Sequence, residues 1–130
     1  MAIANDSIGK LVLRVVLSVT ILLHGIGKLL HGIDFIEQTV QASGLPAAFA
    51  YGVYVGEIIA PLMVIAGLYA RIGAAIIAIN MAVALFLVHA GELFTLNDQG
   101  GWAIELQALM LFSAVAIAFM GPGKFACNQK

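Results

Sequence analysis

Five ionisable side chains in an otherwise apolar chain could carry chemistry: His24, Lys28, Glu57, His89 and Glu105. Each falls inside or at the edge of an apolar stretch, where a charged group is costly in hydrocarbon and so calls for a partner or a task. His24 and Lys28 stand four residues apart, which puts them on one helix face, a turn from each other. A histidine, whose ordinary pKa lies near neutrality, can pass a proton; a desolvated glutamate can receive one; a lysine can hold an anion or a carbonyl oxygen. Such a set suits proton-coupled work on a small polar head group. A quinone ring asks for these partners at its two oxygens and leaves its tail in lipid. The same residues also suit a purely structural task, in which Glu57 and Glu105 pair with Lys28 and the histidines as clamps between helices. The sequence leaves both readings open.

The remaining polar residues read as structural. Arg14 lies one turn inside a helix end and is expected to snorkel to the interface as an orientation anchor, as Lys28 also could at its own helix end. His89, just before Ala90-Gly91, also suits the polar interface. Arg71 falls in a tight connection, and Asn80, in the middle of a helix, is expected to bond a neighbouring helix. Pro61 should kink its helix and free the carbonyl of Glu57, one turn earlier. His24, Glu57, His89 and Glu105 are metal-ligand types, but no HxxH or ExxH pair on one helix anchors them, and no metal site is assigned. The single cysteine, Cys127, leaves no internal disulfide or dithiol chemistry. No haem, flavin or nicotinamide pattern occurs, so no covalently bound cofactor is expected, and the chain is at most one subunit of an oxidoreductase.

These residues need elements to hold them. Of 130 residues, 62% are hydrophobic and 10% charged, against roughly half and about a quarter in ordinary globular domains. A chain this short cannot hide so much apolar surface from water. Four stretches, approximately 11–30, 48–69, 72–90 and 102–120, approach the roughly 20 apolar residues that a bilayer core about 30 Å thick requires. Continuous apolar runs without dyad alternation exclude a barrel. The expected fold is therefore all-α, a single domain over 1–130 forming an integral membrane four-helix bundle. A signal peptide is not read at the N-terminus, because no small-x-small cleavage site follows the first apolar run. A net charge of -1 and six basic residues leave no stripe for nucleic acid. Lys10, Arg14, Arg71, Lys124 and Lys130 fall on one side, which the positive-inside rule makes cytoplasmic together with both termini. Asp34 followed by Glu37 and then Ser43-Gly44 marks a short interfacial helix with a capping box in the first outer loop. The second outer loop, 91–101, reads as flexible. Gly52, Gly56 and Ala60, facing Ala74, Ala78 and Ala82, allow close helix packing within the chain or, as the alternative, a homo-oligomer face.

With these residues in view, the chain resembles the DoxX family of four-helix membrane proteins of bacteria and archaea. The resemblance is carried, in order, by Leu23-His24-Gly25 with Lys28, Gly44-Leu45-Pro46, Glu57, Gly67-Leu68-Tyr69-Ala70-Arg71, His89, Gly100-Gly101 before Glu105, and Gly121-Pro122-Gly123-Lys124. The tail departs from the usual pattern in ending with Cys127 where serine and aspartate are commoner. The family takes its name from a small subunit of an archaeal terminal quinol oxidase. The resemblance therefore implies a bacterial inner-membrane protein in a membrane redox system, with lipids, a quinone and other membrane or redox proteins as partners. Its alternative is a non-catalytic accessory or assembly protein.

Overall fold

The computed structural model describes residues 2–88 and 90–130. Helix α1 (Ala2–His31) is followed by the short α2 (Asp34–Ala42). Helix α3 (Ala47–Ala66) turns back through the tight connection at 67–69 into α4 (Ala70–Val88), and α5 (Glu105–Met120) closes the fold. Helix α1 packs on α3 and α5, and α4 packs on the same two, so the long helices enclose a common core. Leu17 and Ile21 of α1 meet Val64 of α3, Ile77 and Met81 of α4 and Ile117 of α5 there. Facing away from it, Val16 and Leu23 of α1, Ile79 and Phe86 of α4 and Phe112 and Phe119 of α5 are exposed. Apolar surface on every helix, outside a filled core, is what a lipid solvent leaves uncovered. Residues Asn5–His31, Ala47–Ala66 and Ala70–Val88 are long and apolar enough to cross a membrane. Helix α5, also apolar, has 16 residues.

The boundaries depart from the expected ones where local hydrogen bonding overrides hydropathy. Helix α1 starts nine residues before 11 because its polar beginning is itself helical, with Lys10 paired to Asp6 at 2.8 Å one turn away. Helix α3 stops at Ala66 because Gly67 adopts φ 70° and closes a Schellman motif, with the Leu68 N–H on the Met63 carbonyl. Helix α5 begins at Glu105, three residues late, because the glycines and Trp102 before it belong to a structured loop. Within that loop Asn97 Oδ1 accepts the N–H groups of Gln99 and Gly101, each at 2.9 Å, and Leu96 pairs with Trp102. The short helix expected after the first long one is present as α2, but the capping box is not. Ile33 occupies the N-cap position with no side-chain bond, so Asp34 and Glu37 lie in the first turn, where they favour the helix dipole without capping it.

Arg14 does not snorkel. It is fully buried and turned into the fold, where every direction of its guanidinium fork is used. Nε donates to the Val64 carbonyl (2.9 Å), Nη2 to Ile65 (2.9 Å), and Nη1 to both Pro122 and Phe125 (2.8 Å each). The first two carbonyls are among those a helix end leaves without intrahelical partners, and they form the negative pole of α3. The other two belong to the C-terminal tail, which also lays Cys127 N–H on Ala66 and Asn128 N–H on Gly67. Arg71 performs a related task at the surface, where Nη1 reaches the Ala118 and Phe119 carbonyls at the end of α5. Arg14→Lys keeps the charge but offers a point donor in place of a fork, and leaves buried carbonyls bare. It should lower stability by about 3 kcal/mol, read as a Tm drop of several degrees in detergent; an unchanged Tm would refute the clamp.

Candidate functional site

Glu57 is placed by an irregularity in α3. The segment Val55–Ile59 is a π-turn, in which the Ala60 N–H reaches back five residues to the Val55 carbonyl. Two positions later Pro61 has no N–H to offer the Glu57 carbonyl. That carbonyl lies against Gly25 of α1, so close that a Cβ there would collide with it. Gly25 is thus the contact that lets α1 and α3 meet. The Glu57 side chain, 3% exposed, points between α1 and α4. Lys28 Nζ sits 2.5 Å from its Oε1, and Asn80 Nδ2 donates to its Oε2 at 3.3 Å. Asn80 in turn lies flat on α3 because Gly56 has no side chain; a Cβ there would be 2.5 Å from Asn80 Cβ and Cγ. Tyr54 places its hydroxyl 3.5 Å from the Lys28 carbonyl, at the limit of a hydrogen bond.

This triad forms one wall of a cavity of about 750 Å³, within the range of small-molecule sites. The rest of the lining is almost entirely apolar: Ile76, Val83 and Leu87 from α4, Val53 from α3, and Ile36 and Val40 from α2, which roofs it. Glu57 has both oxygens occupied. Lys28 retains two N–H donors, and Asn80 retains one N–H and its carbonyl oxygen. The wall therefore offers chiefly donors beside a locally neutral ion pair, which fits an uncharged head group with a carbonyl acceptor better than it fits a cation.

Of the residues singled out in the sequence, the structure brings together Lys28, Glu57 and Asn80. His24 is exposed on α1 and does not line the cavity. Gly25 marks the direction of α3. At about 100° per residue, Lys28 lies about 60° from that direction with a long stem, whereas His24 lies about 100° off with a short one. Glu105 is also apart. It is exposed in the first turn of α5, where its Oε1 accepts a bond from Asn97 Nδ2 at 3.3 Å. His89 lies outside the described residues. Arg14 and Arg71 occupy the opposite end of the fold. The sequence reading missed the roof and the role of Gly25, although the carbonyl freed by Pro61 was a signal that some partner helix had to come close.

Long apolar helices with outward-facing apolar side chains, and an ion pair held inside them, define an integral membrane protein. The chain belongs to the DoxX family, whose family model matches residues 9–90. It is also similar to an uncharacterized protein of Haemophilus influenzae, with 32% identity over 121 residues that cover 91% of this chain and 87% of the other. No solved structure matches it.

Removing one partner of a buried ion pair strands the other charge, at a cost of about 3–5 kcal/mol. Lys28→Met should therefore destabilise more than the double variant Lys28→Met/Glu57→Gln, in which the remaining side chains are neutral. Thermal melts of the wild type, both single variants and the double variant in one detergent test this; purely additive effects would show that the two side chains do not interact.

Proposed function

We propose that this protein is a bacterial inner-membrane subunit that binds a quinone, or a similar lipid-soluble carbonyl compound, in the cavity beside Lys28, Glu57 and Asn80. In this reading it works with other membrane or redox proteins. The observation that carries it is a buried, hydrogen-bonded ion pair with spare donors on the wall of an otherwise apolar cavity of about 750 Å³. An apolar enclosure with few convergent polar groups is the common form of a small-molecule site. Lys28 would donate to a ring oxygen, Asn80 would orient the head group, and Glu57 would hold Lys28 and accept a proton when the ring is oxidised. Wild-type protein extracted from membranes should retain quinone, Glu57→Gln should lose most of it while staying folded, and His24→Ala should keep it. Full retention by Glu57→Gln counts against the site.

A second reading has its own support, because both oxygens of Glu57 are already satisfied within the protein. The triad would then only clamp α1, α3 and α4 in an accessory or assembly protein. It would show as a lower Tm in Glu57→Gln, with no quinone retained by the wild type.

The proposed arrangement in the membrane is a four-helix bundle with all four long helices crossing, the termini in the cytoplasm and α2 on the outer surface. A helix of 16 residues spans about 24 Å, so α5 would use the flanking loop and tail to complete its crossing. The surface cations Lys10, Arg71, Lys124 and Lys130 all lie at the end that carries the termini, which supports this direction. Cys127 is exposed at that end. A membrane-impermeant maleimide should label it in inverted vesicles and leave it unlabelled in intact spheroplasts; the opposite pattern reverses the topology.

A further inference from the structure

The cavity is not closed on all sides, and the place where it opens says how a ligand would reach it. Phe35 on α2, Phe49 at the start of α3, and Ile79, Val83 and Val88 on α4 all line the cavity and are also exposed at the surface. They surround the seam between α2 and α4, where contact is slight; α2 rests mainly on the first turns of α3 through Ile33, Val40 and Ala50. Helix α4 is one of the helices long enough to span a membrane, so in the proposed arrangement this seam opens toward lipid. The charged and amide groups of the cavity are Lys28, Glu57 and Asn80, and from there to the seam the lining is apolar apart from Thr39, whose hydroxyl is bonded to the Phe35 carbonyl.

Helix α2 is joined at both ends through glycines in the left-handed region. Gly32 has φ 84° and Gly44 has φ 86°, and a Cβ at either would meet nothing within 4 Å. The surroundings therefore do not impose the requirement for glycine; the backbone angle at each end of α2 does. The nine-residue α2 is thus bounded at both ends by glycine joints that no neighbour crowds at the Cβ position, and it is held to α3 chiefly by Ile33 and Val40.

We infer that α2 is a lid over a lateral portal, and that the ligand is an amphiphile with a hydrogen-bond-accepting head and an apolar tail, admitted sideways from the lipid. The head passes Phe35 and Phe49 to reach Lys28 and Asn80, and the tail stays in the seam between α2 and α4. This rests on the ligand-binding reading above and adds the route and the tail.

The test uses the full-length chain in nanodiscs, with Cys127→Ala and spin labels at Gln38→Cys on α2 and Phe86→Cys on α4. Both labelled positions are exposed and off the cavity wall. Without ligand, the distance distribution should show two populations; saturation with a decyl-tailed benzoquinone should leave the shorter one. Gly32→Ala with Gly44→Ala, which penalises the left-handed joints, should enrich the longer population and weaken binding at least tenfold. Quinone that binds and leaves the distribution unchanged would overturn the lid while sparing the site. Quinone that fails to bind the wild type at all would overturn the binding reading and the lid together. A tail-free ring that binds as tightly as the tailed one would overturn the portal's role in holding a tail.

Discussion

A backbone carbonyl in a lipid-immersed helix has no water to turn to, and Pro61 withholds from Glu57 the partner it would ordinarily have. The arrangement at the polar end of the cavity is a response to that constraint. The chain takes a π-turn at Val55–Ile59, the Glu57 carbonyl faces Gly25 of α1, which has no side chain, and the carboxylate swings between α1 and α4. Lys28 and Asn80 then meet it from two other helices. One missing N–H thus fixes the spacing of α1 and α3 and the orientation of the most deeply buried acid among the described residues.

The two ends of the fold are built differently. At the end carrying the termini, the Arg14 fork, the Schellman turn after α3 and the folded-back tail interlock through main-chain hydrogen bonds, and the core below is filled by Leu17, Val64 and Ile117. At the other end, α3 starts with a 3₁₀ turn at Ala47–Tyr51, α2 is carried on two glycine joints, and a cavity remains between them. Packed interiors transmit strain and resist rearrangement, whereas regions with few buried contacts open at low free-energy cost. A rigid base and a looser upper half are consistent with a ligand site confined to the latter.

Much of this was legible in the residues. The apolar runs marked the long helices, Ser43-Gly44 marked the end of α2, and Pro61 marked Glu57 as unusual. The pairing of Lys28 with Glu57 was among the alternatives that charge and depth left open. Hydropathy was blind to other features because they depend on direction rather than depth. It grouped His24 and Glu105 with Glu57 at one level, yet rotation about α1 turns His24 outward, and the late start of α5 leaves Glu105 exposed in its first turn, bonded to the loop before it. It treated Arg14 as a surface anchor because a lone cation near a helix end usually is one. Its true partners are main-chain carbonyls, and no residue type in a sequence advertises those. The order in the 91–101 loop escaped for a similar reason, since one asparagine side chain, Asn97, organises it.

The Arg14 clamp also orders events in time. Two of its four acceptors, Val64 and Ile65, are available once the third helix has formed, but the other two, Pro122 and Phe125, lie 108 and 111 positions beyond Arg14 in the chain. Until they arrive, the guanidinium faces a half-built site inside a nascent bundle. A chain cleaved before residue 122 would leave Nη1 without either of its acceptors inside the bundle. The same side chain thereby makes one end of the bundle depend on segments from both ends of the described sequence.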